Sequence, residues 1–475
     1  MESAPADPLP RARSRAGARI DVMSARSGAN SLTRPIALSV LALFVAQQTL
    51  LWWLYYHGSG KHLLGDEVRY LDTARAILAG GPWHPSDLWP PAQPVFIAAI
   101  LAASGGSLLA VQIVQMLLFV GCGLLILRLA RAITGNETAA VFAAALFLLS
   151  PDNAANAQYL WPETTHLFVV LLAFDLLLVR GTQRTGAFVA GALIGLALLF
   201  KSVLSAFWPL LLLVFVTRKP LRVRWLEAGL FVLGLAIAIA PALVAGHRNS
   251  GHWSIADSSA INLLLGLSDS TRNDYVSGPS AALFDAYLAS GATPAERNAW
   301  AWQRVREKVE AVSPPTLIVD QLDKQYFRLF ESKTLLLTQL PGPACAGYRS
   351  AYAETPPALI AITRWSSHLA HALMLAGFAF GLCLWRRWEG LAPWLLLAFV
   401  GYQLALFAGL HAQARYLLPM VPVFCVFAGS ALARLPSSST VRDATPSRVA
   451  FGTALAVLLL WLAFAGPFLD GYCRA

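Results

Sequence analysis

The sequence predicts an all-α polytopic membrane protein of about eleven transmembrane helices, with a cytoplasmic N-terminus and extracytoplasmic juxtamembrane helices. Three observations predict it. Hydrophobic types make up 57% of the 475 residues and charged types only 13%, against roughly 25% charge in an average soluble domain. Apolar segments approaching the length of a bilayer span recur along the chain. Arg and Lys gather at alternate ends of those segments, which is the orientation signal of membrane proteins. The net charge of +10 is therefore assigned to membrane topology, and nucleic acid is not an expected partner.

Residues 1–34 are polar and rich in Arg, Ala, Ser and Pro, and read as a disordered cytoplasmic tail. Residues 35–475 form the membrane domain. Its expected spans lie near 35–56, 107–127, 138–151, 163–179, 186–200, 203–217, 226–246, 366–385, 391–410, 416–433 and 449–469. With that count, Arg34, Arg128, Arg131, Arg180, Arg184, Arg218, Lys219, Arg386, Arg387, Arg434 and Arg448 all fall on one side, the cytoplasm by the positive-inside rule. Cys122, Cys383 and Cys425 lie in apolar segments and read as small packing residues. Cys345 and Cys473 share the outer side, which leaves a disulfide between them open.

Two outward regions, 57–106 and 247–365, are too long to be turns. In the second, Thr293-Pro294-Ala295-Glu296 is a capping box with proline at the first helical position, predicting a helix to Val312. Ser313-Pro314-Pro315 starts another, whose apolar face runs through Ile318, Leu322, Tyr326 and Phe330.

The first loop carries the chemistry. Gly65-Asp66-Glu67-Val68-Arg69-Tyr70-Leu71 opens an amphipathic helix to about Leu78, ended by Gly80-Gly81-Pro82. Trp89-Pro90-Pro91-Ala92-Gln93-Pro94 follows, with a short apolar piece to Ala103. Asp66 has two readings. It is a helix N-cap with Glu67 favouring the helix dipole, or it is a general base beside a second acid or oxygen ligand of a divalent cation.

Asp66-Glu67-x-x-Tyr70 resembles the signature of the GT-C glycosyltransferases, and the loop resembles glycosyltransferase family 39 onward through Pro90-Pro91-x-x-Pro94. That family includes the protein O-mannosyltransferases and the lipid A aminoarabinose transferases. Further pieces agree in order: Pro162-Glu163, Gly191-x-x-x-Gly195-Leu196-Ala197 leading to Lys201, Asn262-Leu263-x-x-Gly266, and Arg415-Tyr416-x-x-Pro419-x-x-Pro422. One departure is that the aminoarabinose transferases have a lysine just before the loop proline, where this chain has Pro90 or Pro91.

The resemblance implies transfer of a sugar from a polyprenyl-phosphate donor to a hydroxyl of a lipid, glycan or protein, with inversion, on the outer face of a bacterial inner membrane. It implies Asp66 as base, Glu67 as second acid, and Arg415, Lys201, Tyr70, Glu163 and Tyr416 as substrate- or phosphate-binding residues. No cofactor is required by this reading, and a divalent cation on Asp66 and Glu67 is an open expectation. The outward histidines have no metal-binding spacing, and the interfacial tryptophans read as an aromatic belt. The alternative is a secondary transporter or flippase, which is disfavoured by the lack of repeated halves and by the scarcity of mid-span charge. Asp175 is the exception, near the inner end of the fourth span.

Overall fold

The computed structural model describes residues 35–50, 63, 65–84, 88–181, 183–216, 221–268, 279–332, 335, 357–385, 388, 390–434 and 445–465. Cys345 and Cys473 lie outside them. All regular structure among the described residues is helical. In chain order the helices are α1 (Pro35–Leu50), α2 (Asp66–Leu78), α3 (Ala92–Ala103), α4 (Leu108–Thr134), α5 (Glu137–Leu148), α6 (Pro151–Asn156), α7 (Glu163–Phe174), α8 (Arg184–Phe200) and α9 (Leu213–Val216). They continue with α10 (Leu221–Ser250), α11 (Ser259–Ser268), α12 (Pro279–Ala289), α13 (Pro294–Glu310), α14 (Pro314–Phe330), α15 (Pro357–Cys383), α16 (Leu391–Gly409), α17 (Val421–Leu432) and α18 (Pro446–Phe464).

Among the described residues, five helices are long and apolar enough to cross a membrane, namely α4, α10, α15, α16 and α18. The other expected spans correspond to shorter helices, and one differs in kind. The described part of the expected span 203–217 does not form a single helix but two 3₁₀ turns, Ser202–Leu204 and Trp208–Leu212, followed by α9. Pro209 lies within that segment and supplies no backbone donor. The packed bundle also wears apolar side chains outside: Leu117, Trp225, Ile237, Ile362, Trp365, Phe451 and Val457 are all exposed. An outer surface of this kind is compatible with lipid and costly in water.

Asp175 is buried, and Arg128 and Arg180 reach it from α4 and the end of the α7 segment at 2.9 and 2.7 Å. This buried carboxylate is thus a tether joining α4 to the end of the α7 segment, and its pairing accounts for a charge the sequence leaves unexplained.

Close helix contacts depend on small residues. Gly191 on α8 faces the backbone of α10, where an added Cβ would overlap the Phe231 carbonyl; Gly234 on α10 presses equally on Phe188. The Gly191-x-x-x-Gly195 spacing is therefore a close-approach seam. At the start of α13 the capping box forms as expected, with Thr293 Oγ1 accepting from Glu296 N and Glu296 accepting from Thr293 N. The face read on α14 is divided: Ile318 and Leu322 are exposed, whereas Phe327, Leu329 and Phe330 are buried against the bundle. Replacing Gly191 with Leu is expected to destabilise the α8–α10 pair by about 1–3 kcal/mol or more, read as a lower melting temperature of the purified protein in detergent.

Candidate active site

Two carboxylates of the site occupy helix N-termini. Gly65 precedes α2 with φ 54, a left-handed conformation that other residues adopt at a cost. The turn makes Asp66 the first helical residue rather than the cap, and no side chain caps α2. That corrects the N-cap reading. Asp66 and Glu67 still lie in the first turn, where the helix dipole favours negative charge. Pro162, in the ordinary helical region, is the N-cap of α7 and puts Glu163 in its first turn.

The cations come from chain breaks. Lys201 ends α8 in an extended conformation, φ −150, at a helix end that favours positive charge. Arg415 lies on the 3₁₀ turn Ala414–Leu417 before α17. Arg415 Nη2 donates to Asp66 Oδ2 at 2.6 Å. Lys201 Nζ donates to Glu163 Oε1 at 3.1 Å. Arg415 Nε stands 3.6 Å from the same Glu163 oxygen, too far for a hydrogen bond. Asp66 is 39% exposed, whereas the side chains of Arg415 and Glu163 are 10% and 2% exposed. Aromatic faces complete the cage: Arg415 lies 4.3 Å from the Trp161 ring and Lys201 4.3 Å from the Tyr416 ring. Asp66, Tyr70, Glu163, Lys201, Arg415 and Tyr416 thus come into one cluster.

The electrostatics follow from burial and from these neighbours. Burial pulls the Lys201 ammonium below its ordinary value, Glu163 opposes this, and Arg415 adds to it. Burial acts on Arg415 in the same direction, but Tyr416, Asp66 and Glu163 outweigh it and hold the guanidinium above its ordinary value. Burial, reinforced by Asp66 and Glu163, raises the Tyr70 phenol, so Tyr70 stays a neutral hydrogen-bonding group.

Glu67 does different work. It is fully buried, and its Oε1 accepts from Leu160 N at 2.8 Å. Three glutamines hold the same turn. Gln93 donates to the carbonyls of Leu160 and Trp161 at 2.9 and 3.1 Å, Gln112 to Gln158 at 2.9 Å, and Gln115 to Tyr159 at 2.6 Å. Thr165 Oγ1 donates to Gln93 Oε1 at 2.8 Å. This ladder fixes the segment that presents Trp161 to Arg415, and sequence reasoning missed it. The available signal was Gln112 and Gln115 spaced i,i+3 in an apolar span, since buried amides there require partners.

The carboxylates do not suit a resident divalent cation. Asp66 is engaged by Arg415, and Glu67 is turned into the protein against Leu160. Among the described residues no group of three or more His, Cys, Asp and Glu converges.

The fold and the site together define a helical membrane protein with a neutralised cage of carboxylates and cations at the break points of its bundle. Residues 88–245 match the family model for dolichyl-phosphate-mannose-protein mannosyltransferase. That match agrees with the resemblance to glycosyltransferase family 39 carried by the motifs, and it covers about a third of the chain. No curated protein matches. Similar solved structures include ArnT from Cupriavidus metallidurans in the apo state, 17% identical over 84% of this chain and 77% of that one, with a TM-score of 0.37. The arabinofuranosyltransferase AftD from Mycobacteria is 15% identical over 93% of this chain and 28% of that one, with a TM-score of 0.42. The Archaeoglobus fulgidus oligosaccharyltransferase is 15% identical over 92% and 56%, with a TM-score of 0.45.

A second titrating group lies nearby. Burial pushes the Asp152 carboxyl up to about 7, opposed by the hydrogen bond from Leu335 N. The ordinary aspartate value is about 3.9. Between those values the folded protein holds a proton that the unfolded chain has lost, so stability falls as pH rises from about 4 to about 7 and levels off above. Melting temperatures of wild type and Asp152→Asn across that range check this. The difference between them should move in favour of the variant as pH rises and stop changing above about pH 7.

Proposed function

We propose that the chain moves a sugar from a polyprenyl-phosphate donor to a hydroxyl acceptor on the outer face of a bacterial inner membrane, by one inverting displacement. The observation that carries this reading is a pair of part-buried cations beside an accessible carboxylate, with hydrogen-bonding capacity left unused. Arg415 Nε and Glu163 Oε2 are buried and have no hydrogen-bond partner. Lys201 and Arg415 balance Asp66 and Glu163, so the formal charges of these four cancel before a ligand enters.

An anionic lipid phosphate competes with Asp66 for Arg415 and with Glu163 for Lys201. Its arrival turns Arg415 toward the phosphate and releases Asp66, which then takes the acceptor's hydroxyl proton. The acceptor oxygen forms its bond to the anomeric carbon from the face opposite the phosphate. The bond from that carbon to the phosphate oxygen breaks, and its electron pair leaves with the lipid phosphate. Negative charge moves from Asp66 to the departing phosphate, where Lys201 and Arg415 stabilise it. Tyr70 and Tyr416 stay neutral and serve as orienting groups. Glu67 acts through Leu160 as a positioning residue in place of the second acid expected from the motif. The acceptor is a lipid, glycan or protein hydroxyl.

Asp66→Asn at matched expression is expected to lose transfer from a radiolabelled polyprenyl-phosphate sugar in membranes by about 100-fold or more; equal activity would place the base elsewhere. Arg415→Lys keeps the charge but loses the planar fork that spans two partners. It is expected to raise the donor KM by roughly tenfold, more than it lowers kcat.

A further inference from the structure

Arg415 also borders a partly open cavity of about 40 Å³ that the transfer step does not use. The wall includes Ser150, Asp152, Asn156, Glu331 and His371, an unusual polar lining inside an apolar bundle. A single water needs about 10–15 Å³ measured this way, so the space of about 40 Å³ takes about three or four water-sized groups. Leu335, beyond α14, closes part of it. Leu335 N donates to Asp152 Oδ1 at 3.0 Å, and Tyr159 Oη donates to Leu335 O at 2.9 Å.

The wall asks for hydrogen-bond donors. Asn156 is only 3% exposed; its Nδ2 donates to Asp152 O at 2.9 Å, while its Oδ1 has no partner. A buried acceptor left in that state costs about 1–3 kcal/mol. Asp152 and Glu331 add carboxylate oxygens to the same wall. An anionic occupant is opposed by those two carboxyl groups. An ammonium occupant is opposed by the Arg415 guanidinium. A neutral group with several O–H donors meets neither objection, and adjacent hydroxyls on a sugar ring offer that chemistry at a size that fits.

We propose that this cavity is a subsite for the hydroxyl-bearing edge of a carbohydrate ring, recognised by Asn156, Asp152 and Glu331. The inference rests on the transferase reading for its biological setting, but it is tested by binding, which needs no turnover. The ring belongs to the donor's sugar or to a glycan acceptor, and competition separates the two.

The experiment is saturation-transfer NMR on the purified full chain in detergent micelles. The probes are methyl glycosides of mannose, glucose, galactose and arabinofuranose, with 2-methoxytetrahydropyran as a ring lacking hydroxyls. At least one glycoside should bind while the hydroxyl-free ring does not. Asn156→Leu removes the acceptor, and Ala370→Phe fills the cavity from α15 without touching a polar partner; each should weaken binding roughly tenfold. Asp66→Asn should bind as wild type does, so loss of transfer with retained binding isolates a failure of the subsite from a failure of the base assignment. Displacement by polyprenyl-phosphate sugar but not by polyprenyl phosphate assigns the subsite to the donor sugar, and binding alongside both assigns it to the acceptor. No hydroxyl-dependent binding of any glycoside to wild type overturns the proposal, as does undiminished binding to folded Asn156→Leu and Ala370→Phe, folding being checked by melting temperature.

Discussion

Burying charge at the edge of an apolar bundle is the constraint from which the site follows. An isolated ion there is costly, and pairing lowers the cost only when geometry and hydrogen bonds are good. Asp66, Glu163, Lys201 and Arg415 meet that condition as a group, because each carboxylate sits at a helix N-terminus and each cation at a helix break. The cage is neutral as a whole yet not fully bonded, since Arg415 Nε and Glu163 Oε2 remain open. A site that is electrostatically balanced but short of hydrogen bonds can admit an anion by exchanging partners.

The rest of the structure holds those ends in register. The turn at residues 158–161 carries no catalytic side chain, yet it receives hydrogen bonds from Gln93 on α3 and from Gln112 and Gln115 on α4, and gives one to Glu67 on α2. Its backbone polar groups lie away from water and need such partners. Satisfying them with long amide side chains from neighbouring helices ties α2, α3 and α4 to the turn that carries Trp161. At the opposite end, Asp175 with Arg128 and Arg180 performs a similar tie with ions. Between the two ends, glycine seams such as Gly191 on Phe231 set how closely the helices approach.

The helices α11 to α14 are not an independent appendage. Of these, α11, α12 and α13 share a small apolar core around Leu264, Tyr287 and Ala301. The C-terminal half of α14 then plugs into the main bundle through Phe327, Leu329 and Phe330. Leu335 reaches the turn beside Asp152. This stretch of chain thereby forms part of the wall next to Arg415, which gives it a physical route to influence what binds there.

Much of this was legible in the sequence because membrane proteins write their architecture in composition. Apolar runs, basic flanks, the Thr293–Glu296 capping box and the Asp66-Glu67-x-x-Tyr70 motif each follow from local chemistry, and local chemistry needs no knowledge of distant residues. The sequence by itself determined an all-helical membrane protein and nominated the charged residues of its candidate site. Only the tertiary structure decided which charges meet. Asp66 and Arg415 are 349 positions apart and no periodicity links them. Glu67, adjacent to Asp66 in the motif, turns out buried against Leu160, because neighbouring residues on a helix point about 100° apart. The break of residues 203–217 into short turns was equally invisible, since hydropathy reports what a segment dissolves in and says little about whether its backbone continues as one helix.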